Sequence, residues 1–462
     1  MKIFKNISIL IFFILSSVAL SAQEMTLKQC RQMALENNKT MAVARQNKIK
    51  SDLTVKSTFT NFLPKLSASG MSYHTSSESD FALKMGRMQI FDPNMVNAFI
   101  PPQYHPFIES LSSISLPDIN FNLNLNNSYV TGINLEQPIY MGGKIRSAYK
   151  MSKIGKEIAD LNIKKNETEI IVETDKAYWL YVQTLELCKS AESYKKTVEE
   201  FYRVVSNAVD AGMKSRNDLL KVQVQLNQAN LQLQRAKNGI KLAGMNLCQI
   251  IGLSLDSEII PLQLFSSESF DITHIDDITS RPEYEMLNKQ TEFKNQEKQM
   301  IRSDFLPSVG LRGSYNYIYG VKLNNEVLFN NGGFSAMLSV KIPLFHWGEG
   351  SKKIKIADTE RTIAELQFND FSEKMKLEMQ QAINAYNEFL LEVAMTDKAL
   401  LQAKENLEMS KNHYEAGMEN ISDYIEAQTV WQNAESEHII AKTKLEIAKT
   451  EYLRTVGKLD YP

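Results

Sequence analysis

Ala211-Gly212-Met213-Lys214-Ser215-Arg216-Asn217-Asp218 returns in altered form as Ala416-Gly417-Met418-Glu419-Asn420-Ile421-Ser422-Asp423. The shift is 205 residues (417 less 212), and it also carries Pro138-Ile139-Tyr140 to Pro343-Leu344-Phe345 and Ile251-Gly252 to Val456-Gly457. A constant offset held over so long a stretch marks two copies of one structural unit, and such repeats set the fold. Gly212 and Gly417 each sit between two helical patterns. Each is therefore expected in the left-handed conformation that lets a chain reverse.

Downstream of the first tip, Leu219, Val222, Leu226, Ala229, Leu233, Ala236, Ile240, Ala243, Leu247 and Ile250 alternate spacings of three and four. That is a heptad seam. The second copy gives Tyr424, Ala427, Trp431, Ala434, His438, Ala441, Leu445, Ala448, Tyr452 and Thr455. Alanine at alternate seam layers lets two backbones approach closely. His438 has no second His or Cys beside it and reads as a packed side chain. Upstream of the first tip, Lys144 to Val209 contains no proline and one glycine, Gly155; a helix of that span is about 100 Å long, more than a globular core uses. Val198, Phe201, Val205 and Ala208 carry a seam up to the turn.

A shorter helix precedes each pair of strands. Thr26-Leu-Lys-Gln29 reads as a capping box, and Ser280-Arg-Pro-Glu283 as a second one with proline in the first turn. Phe62-Leu63-Pro64 and Phe305-Leu306-Pro307 close these helices, because proline stops a helix but tolerates a strand start. Four segments then alternate with period two. Val309, Leu311, Gly313, Tyr315, Tyr317 and Tyr319 oppose Gly310, Arg312, Ser314 and Asn316. Phe334, Ala336, Leu338, Val340, Ile342 and Leu344 share a face, as do Phe121, Leu123, Leu125, Tyr129, Ile133 and Leu135; the segment from Lys65 to His74 alternates least. A transmembrane β-barrel wall and a half-buried soluble sheet both give this pattern. In lipid, four strands cannot close a barrel and an open edge leaves backbone groups unsatisfied. Several chains would then share one barrel, and three would supply twelve strands.

The N-terminus has a short basic head, Met1-Lys2-Ile3-Phe4-Lys5, then an apolar run from Ile7 to Leu20 and Ser21-Ala22-Gln23. This describes a secretory signal with cleavage after Ala22. Net charge is −2, from 52 Lys and Arg against 54 Asp and Glu, so no nucleic-acid partner is indicated. Cys30, Cys188 and Cys248 are scattered and read as buried apolar residues. No nucleophile elbow, phosphate loop or metal-spaced cluster appears, so neither an enzyme nor a cofactor is expected.

The expected organisation is a leader at 1–22, a first repeat at 23–255, a linker at 256–280 and a second repeat at 281–462. The first repeat has strands at about 64–75 and 120–140 and a helical hairpin at about 144–252 with its tip near 212. The second has strands at about 307–320 and 334–345 and a hairpin at about 350–457 with its tip near 417. An insertion near 80–118, rich in proline and phenylalanine, reads as an extracellular loop or as an ordinary surface insertion.

Taken together, these phrases resemble the TolC family of outer membrane efflux proteins, the outer membrane factors. The residues that carry the resemblance are Thr26 to Asn38, both Phe-Leu-Pro phrases, both strand ends with their glycines (Gly142, Gly143; Gly348, Gly350) and both tips. The resemblance implies a mainly α chain with a membrane β-barrel part, built as two tandem repeats of helix, strand, strand and long helical hairpin. Three copies would form a twelve-stranded barrel in the cell outer membrane, four strands per chain, above an α-helical coiled-coil tunnel in the periplasm. It implies a trimeric exit duct for small molecules. Its partners would be the outer-membrane lipid, a periplasmic adaptor (membrane fusion) protein and an inner-membrane exporter, taken as proton-driven. Type I protein secretion and metal-ion efflux are alternatives within the fold, and a non-pore periplasmic coiled-coil structural protein is one outside it. Gly212, Met213, Gly417 and Met418 match the adaptor-docking tips. Asp423, Glu426, Asp218 and Tyr414 match the periplasmic gate and selectivity region. Asp218 and Asp423 equally suit caps in the first turn of a helix. Some family members lock the gate with a basic residue two positions after the second tip glycine; that position is Glu419.

Overall fold

The computed structural model describes residues 23–76, 79–262, 265 and 277–459; the expected leader at 1–22 and much of the expected linker lie outside them. The described chain is mostly helical. In order it runs β1 (Gln23–Met25), α1 (Leu27–Asn37), α2 (Lys39–Phe59), β2 (Lys65–Tyr73), β3 (Ser79–Leu83), β4 (Arg87–Gln89), α3 (Pro93–Asn97) and α4 (His105–Leu111). It continues with β5 (Ser113–Ser115), β6 (Ile119–Asn124), β7 (Ser128–Met141), α5 (Lys144–Asp210), α6 (Arg216–Ile251) and β8 (Ile259–Pro261). It ends with α7 (Pro282–Ser303), β9 (Ser308–Leu323), β10 (Glu326–Lys341), α8 (Glu349–Glu415) and α9 (Ile421–Thr455). Helix α5 has 67 residues and α6 has 36; their later counterparts α8 and α9 have 67 and 35. Among the described residues no helix is long and apolar enough to cross a membrane.

The chain divides into two compact units. One holds the residues up to 55 together with 150–296 and those from 357 on; the other holds 56–149 and 297–356.

In the first unit, Thr26 forms the expected reciprocal cap with Gln29. The single helix expected after it is two. Asn38 interrupts it, donating from Nδ2 to Ile250 O at 3.1 Å and accepting from Thr40 N at 2.8 Å, so one buried side chain ends α1 and starts α2. The second expected capping box does not form: helix α7 starts at Pro282, and the Ser280 hydroxyl donates to Val456 O instead. Strand β1 pairs in parallel with β8, an interaction absent from the sequence reading. The core beneath packs Tyr178, Trp179, Val182, Leu247 and Ile251 around Cys30, each large side chain contributing about 2–3 kcal/mol by leaving water. All three cysteines are buried; burial, then Asp175 and Cys248, raise the Cys30 thiol to about 12, so it stays a neutral packing group. Asp175, fully buried, accepts from Arg31 Nε at 2.7 Å and Nη2 at 2.5 Å and from Thr450 Oγ1 at 2.7 Å, tying α1, α5 and α9 together.

Both heptad seams are packed. All twenty positions named for α6 and α9 are buried or half-buried. His438 accordingly sits inside the seam, with Thr396 Oγ1 at 3.2 Å from Nδ1 and Asp397 Oδ1 at 3.7 Å from Nε2.

In the second unit, β2 pairs antiparallel with β7, β7 with β9, and β9 with β10. The segment expected as one strand at 120–140 is broken at Leu125 to Asn127, where Asn127 takes φ +60°. The strand expected at 334–345 begins eight residues earlier, at Glu326, and ends at Lys341. Its hairpin turns on Asn324-Asn325 (φ +51° and +70°), two residues suited to the type I′ turn that matches strand twist. The insertion near 80–118 is more than a loop: β3 pairs with β6, β4 pairs with β5, and α3 and α4 lie between.

Candidate functional site

The two helical hairpins reverse at Gly212 and Gly417, both at φ +75°. A Cβ there would meet nothing within 4 Å, so the dihedral, not crowding, requires glycine. Gly212 N donates to Val209 O and Met213 N to Ala208 O; Gly417 N donates to Tyr414 O and Met418 N to His413 O. These paired bonds satisfy the last carbonyls of each incoming helix. The methionine after each glycine stands out of the turn, Met213 79% and Met418 72% exposed.

The outgoing helices are capped differently. Ser215 Oγ accepts from Asp218 N at 3.2 Å, while Asp218 Oδ2 accepts from Ser215 N at 3.4 Å and Oγ at 2.8 Å. Asp218 is thus the return half of a capping box. Asn420 caps α9, accepting from Ser422 N at 2.8 Å and Asp423 N at 3.1 Å. That leaves the Asp423 carboxylate in solvent, on the face it shares with exposed Glu426. Neither carboxylate forms an ion pair among the described residues.

Just behind the tips, buried Tyr414 stacks on Tyr424 (centroids 5.6 Å, 15° between planes) and meets Phe201 edge-on at 5.3 Å. Phe201 also meets Tyr424 edge-on at 4.8 Å. Lys214 Nζ lies 4.8 Å from the Tyr414 ring centre. Burial, then the Asp218 charge, raise the Tyr414 hydroxyl above its ordinary value, so it is neutral at physiological pH. Polar contacts continue the join between hairpins: Lys221 Nζ donates to Ser422 Oγ at 2.9 Å and Gln225 Nε2 to Thr429 Oγ1 at 3.3 Å, while within the first hairpin Gln225 Nε2 also donates to Tyr194 OH at 2.5 Å. Glu419 accepts from Ser410 within its own hairpin.

The structure thus brings Tyr414, Asp218 and the two tip glycines into one neighbourhood and leaves Asp423 and Glu426 on its surface. Sequence reasoning missed Lys214, Lys221 and Ser410. Phe201 and Tyr424 lay on the quoted seams, where periodicity marks them as buried without saying which helix they meet.

The sheet of the second unit separates two chemistries by face. One face carries Leu66, Leu135, Ile133, Leu311, Tyr315, Phe334 and Leu338, all exposed. Toward one end Tyr129 stacks on its cross-strand partner Tyr319 (5.0 Å, 28°). The other face carries Ser67, Asn134, Ser314, Ser335 and Asn316. An exposed apolar surface of this extent is unfavourable in water. Apolar outside, polar inside and aromatic near an end is the pattern of a lipid-facing barrel wall. Both outer strands are open: among the described residues β2 pairs only with β7, and β10 only with β9.

These features agree with the comparisons. The alkaline protease secretion protein AprF of Pseudomonas aeruginosa is 23% identical over 344 residues, 72% of this chain and 69% of that protein. The CmeC outer membrane channel of Campylobacter jejuni superposes with a TM-score of 0.72 at 19% identity, covering 94% of this chain and 85% of that one. The open-state MtrE outer membrane channel of Neisseria gonorrhoeae gives 0.72 at 17% identity, covering 94% and 90%. Residues 30–253 and 283–457 match the family described as outer membrane efflux protein. The chain belongs to the outer membrane efflux protein family.

Proposed function

We propose that this outer membrane efflux protein works as a homotrimeric exit duct, each chain contributing four of twelve strands to one barrel. The open edge of β2 in one copy would meet the open edge of β10 in the next, which removes every unpaired backbone group from lipid. Two tandem repeats of helix, strand, strand and helical hairpin supply the wall, and the hairpins extend it as a periplasmic tunnel. The tips, through Gly212, Met213, Gly417 and Met418, dock on a periplasmic adaptor coupled to a proton-driven inner-membrane exporter. Tyr414 and its ring cluster hold the tips closed, and Asp423 and Glu426 line the constriction they guard. Asp218 serves the gate indirectly, as the cap that sets the start of α6. The duct performs no chemistry of its own and needs no cofactor.

The observation that carries this proposal is the second unit's sheet, with one exposed apolar face and two open edges. Neither feature survives as a monomer in water or in lipid. The test is the state of the protein purified from outer membranes in mild detergent. Trimers that insert into planar bilayers and conduct are expected. A water-soluble monomer that does not partition into detergent would refute the duct and favour the non-pore reading.

Protein secretion is a second reading of the same duct. It is favoured by the match to AprF, which is named for secretion of an alkaline protease. The two separate by deletion of the chromosomal copy: loss of tolerance to small toxic compounds supports efflux, and loss of one secreted protein with tolerance unchanged supports secretion.

A further inference from the structure

The polar face of the sheet is neutral over most of its length and charged toward one end, chiefly at one rung. Lys65, Glu136, Arg312 and Met337 lie side by side across β2, β7, β9 and β10. Arg312 Nη2 lies 2.6 Å from Glu136 Oε1, with both side chains about half exposed. Lys65 Nζ donates to Asn61 Oδ1 at 3.2 Å, leaving its charge without a counter-ion among the described residues. The next three rungs on this face are Ser67-Asn134-Ser314-Ser335, Ser69-Gly132-Asn316-Gly333 and Met71-Val130-Ile318-Asn331. None bears a charge. In the other direction Lys341, opposite Ser308, adds a further cation to the same face. The rung opens on a recess of about 650 Å³ whose walls include Met141, Met300 and Met337. Lys144 also borders it, paired with Asp304 at 2.7 Å.

We infer that this rung is a charge-selective station on the inner wall of the duct, built to favour anionic groups, and anions with an apolar body in particular. The inference rests on the closed trimeric barrel proposed above. Two cations against one carboxylate leave one net positive charge per chain at the rung, and three around a closed barrel. Rings of like-charged side chains set ion preference in pores, and cationic rings favour anions. The side chains are too exposed for the pair to be a folding device, since surface ion pairs add little stability. Their arrangement instead places charge where passing solute meets it, with methionine beside it to receive apolar surface. Glu136 moderates the ring: it holds Arg312 against the wall and keeps the net charge at one.

The test is the chloride-to-potassium permeability ratio of single channels in a potassium chloride gradient. It is measured in a background carrying Asp423→Asn and Glu426→Gln, so that tip carboxylates do not set the selectivity. Glu136→Gln adds one positive charge per chain and should raise the ratio about twofold, as Coulomb attraction across roughly a Debye length of water suggests. Arg312→Gln and Lys65→Gln each remove one and should lower it by a similar factor; Lys65→Gln leaves the Arg312–Glu136 pair intact. Arg312→Lys keeps the charge and should keep the ratio. Channels of normal conductance in which Glu136→Gln and Lys65→Gln shift the ratio in the same sense, or not at all, overturn the station while leaving the barrel standing. Failure of the unaltered chain to form trimers or channels overturns the barrel, and the station with it.

Discussion

Tyr414→Ala should open the tips. The ring is almost fully buried and makes three aromatic or cationic contacts: a stack on Tyr424 at 5.6 Å, an edge contact with Phe201 at 5.3 Å and Lys214 Nζ at 4.8 Å. Ring pairs add about 0.5–1.5 kcal/mol each beyond area burial, and an exposed cation over a ring about 0.5–1 kcal/mol. Truncating a packed aromatic residue costs about 3–5 kcal/mol in all. Phe201 lies on α5 and Lys214 on the first tip, so those two contacts cross between hairpins, whereas the Tyr424 stack joins α8 to α9 within the second. About 2 kcal/mol taken from the two contacts that cross between hairpins multiplies the open-to-closed ratio by roughly thirty. Tyr414→Phe keeps the rings and should stay near wild type. The assay is open probability in single-channel recordings, with trimer content checked beforehand. Intact Tyr414→Ala trimers that stay as closed as wild type would show that the ring cluster does not hold the gate. Equal opening in Tyr414→Phe would assign the work to the hydroxyl instead.

Three further outcomes are expected. The pair Asp423→Asn with Glu426→Gln should weaken cation preference severalfold without changing trimer stability, whereas Asp218→Asn, which alters a cap, should cost about 1 kcal/mol of local stability and leave selectivity alone; unchanged selectivity in the double variant removes the acidic constriction. Gly417→Trp puts a bulky side chain at a φ of +75° on the tip and should abolish export while trimers still assemble, so export at the wild-type rate would take the tip out of the adaptor interface. Burial and then Lys442 lower the His438 pKa, against an opposing pull from Asp397. The unfolded chain therefore binds the proton first as pH drops through about 6.5, and stability falls toward pH 5; thermal melts of His438→Gln should show a flatter slope between pH 7 and 5, and an unaltered slope would place the titration elsewhere.

The local pattern carried the helices well because the heptad is a rule about one helix at a time. The alternation from Leu219 to Ile250 states which positions are covered, and all ten are. It cannot state what covers them: Gln225, between two seam positions, is buried by its bonds to Tyr194 and Thr429. Contacts between distant residues left no trace at all. Arg31 and Asp175 are 144 positions apart, and nothing about a lone Asp in a helix full of charge marks it as buried. The Asn324-Asn325 turn was legible in principle, since paired asparagines accept positive φ. It was obscured because Val327, Leu328 and Phe329 follow as a continuous apolar run without period two. The missed break at Asn38 has the same origin: asparagine gains from side-chain bonds to backbone at a helix end, and the backbone it bonds, at Ile250, lies 212 positions away.

At the second tip, Glu419 stands where the family resemblance would place a basic residue. Where a basic residue would reach across to the first hairpin, Glu419 turns back to Ser410 on its own hairpin. The cations at this join lie on the first hairpin. Lys214 covers the face of Tyr414 and Lys221 donates to Ser422, so both contacts run from the first hairpin to the second. Their acceptors are a neutral ring and a hydroxyl. Neither contact pairs opposite charges, so neither carries the large desolvation cost of a buried ion pair, and neither is as sensitive to salt as an exposed one. Such contacts part at modest cost when a partner offers the lysines a carboxylate or backbone carbonyls in exchange. The exposed methionines beside them would provide apolar surface for the proposed adaptor to cover. On the proposed reading, a closed tip held mainly by ring packing, with its cations lightly engaged, would be stable alone and would be drawn open by the adaptor that docks on it.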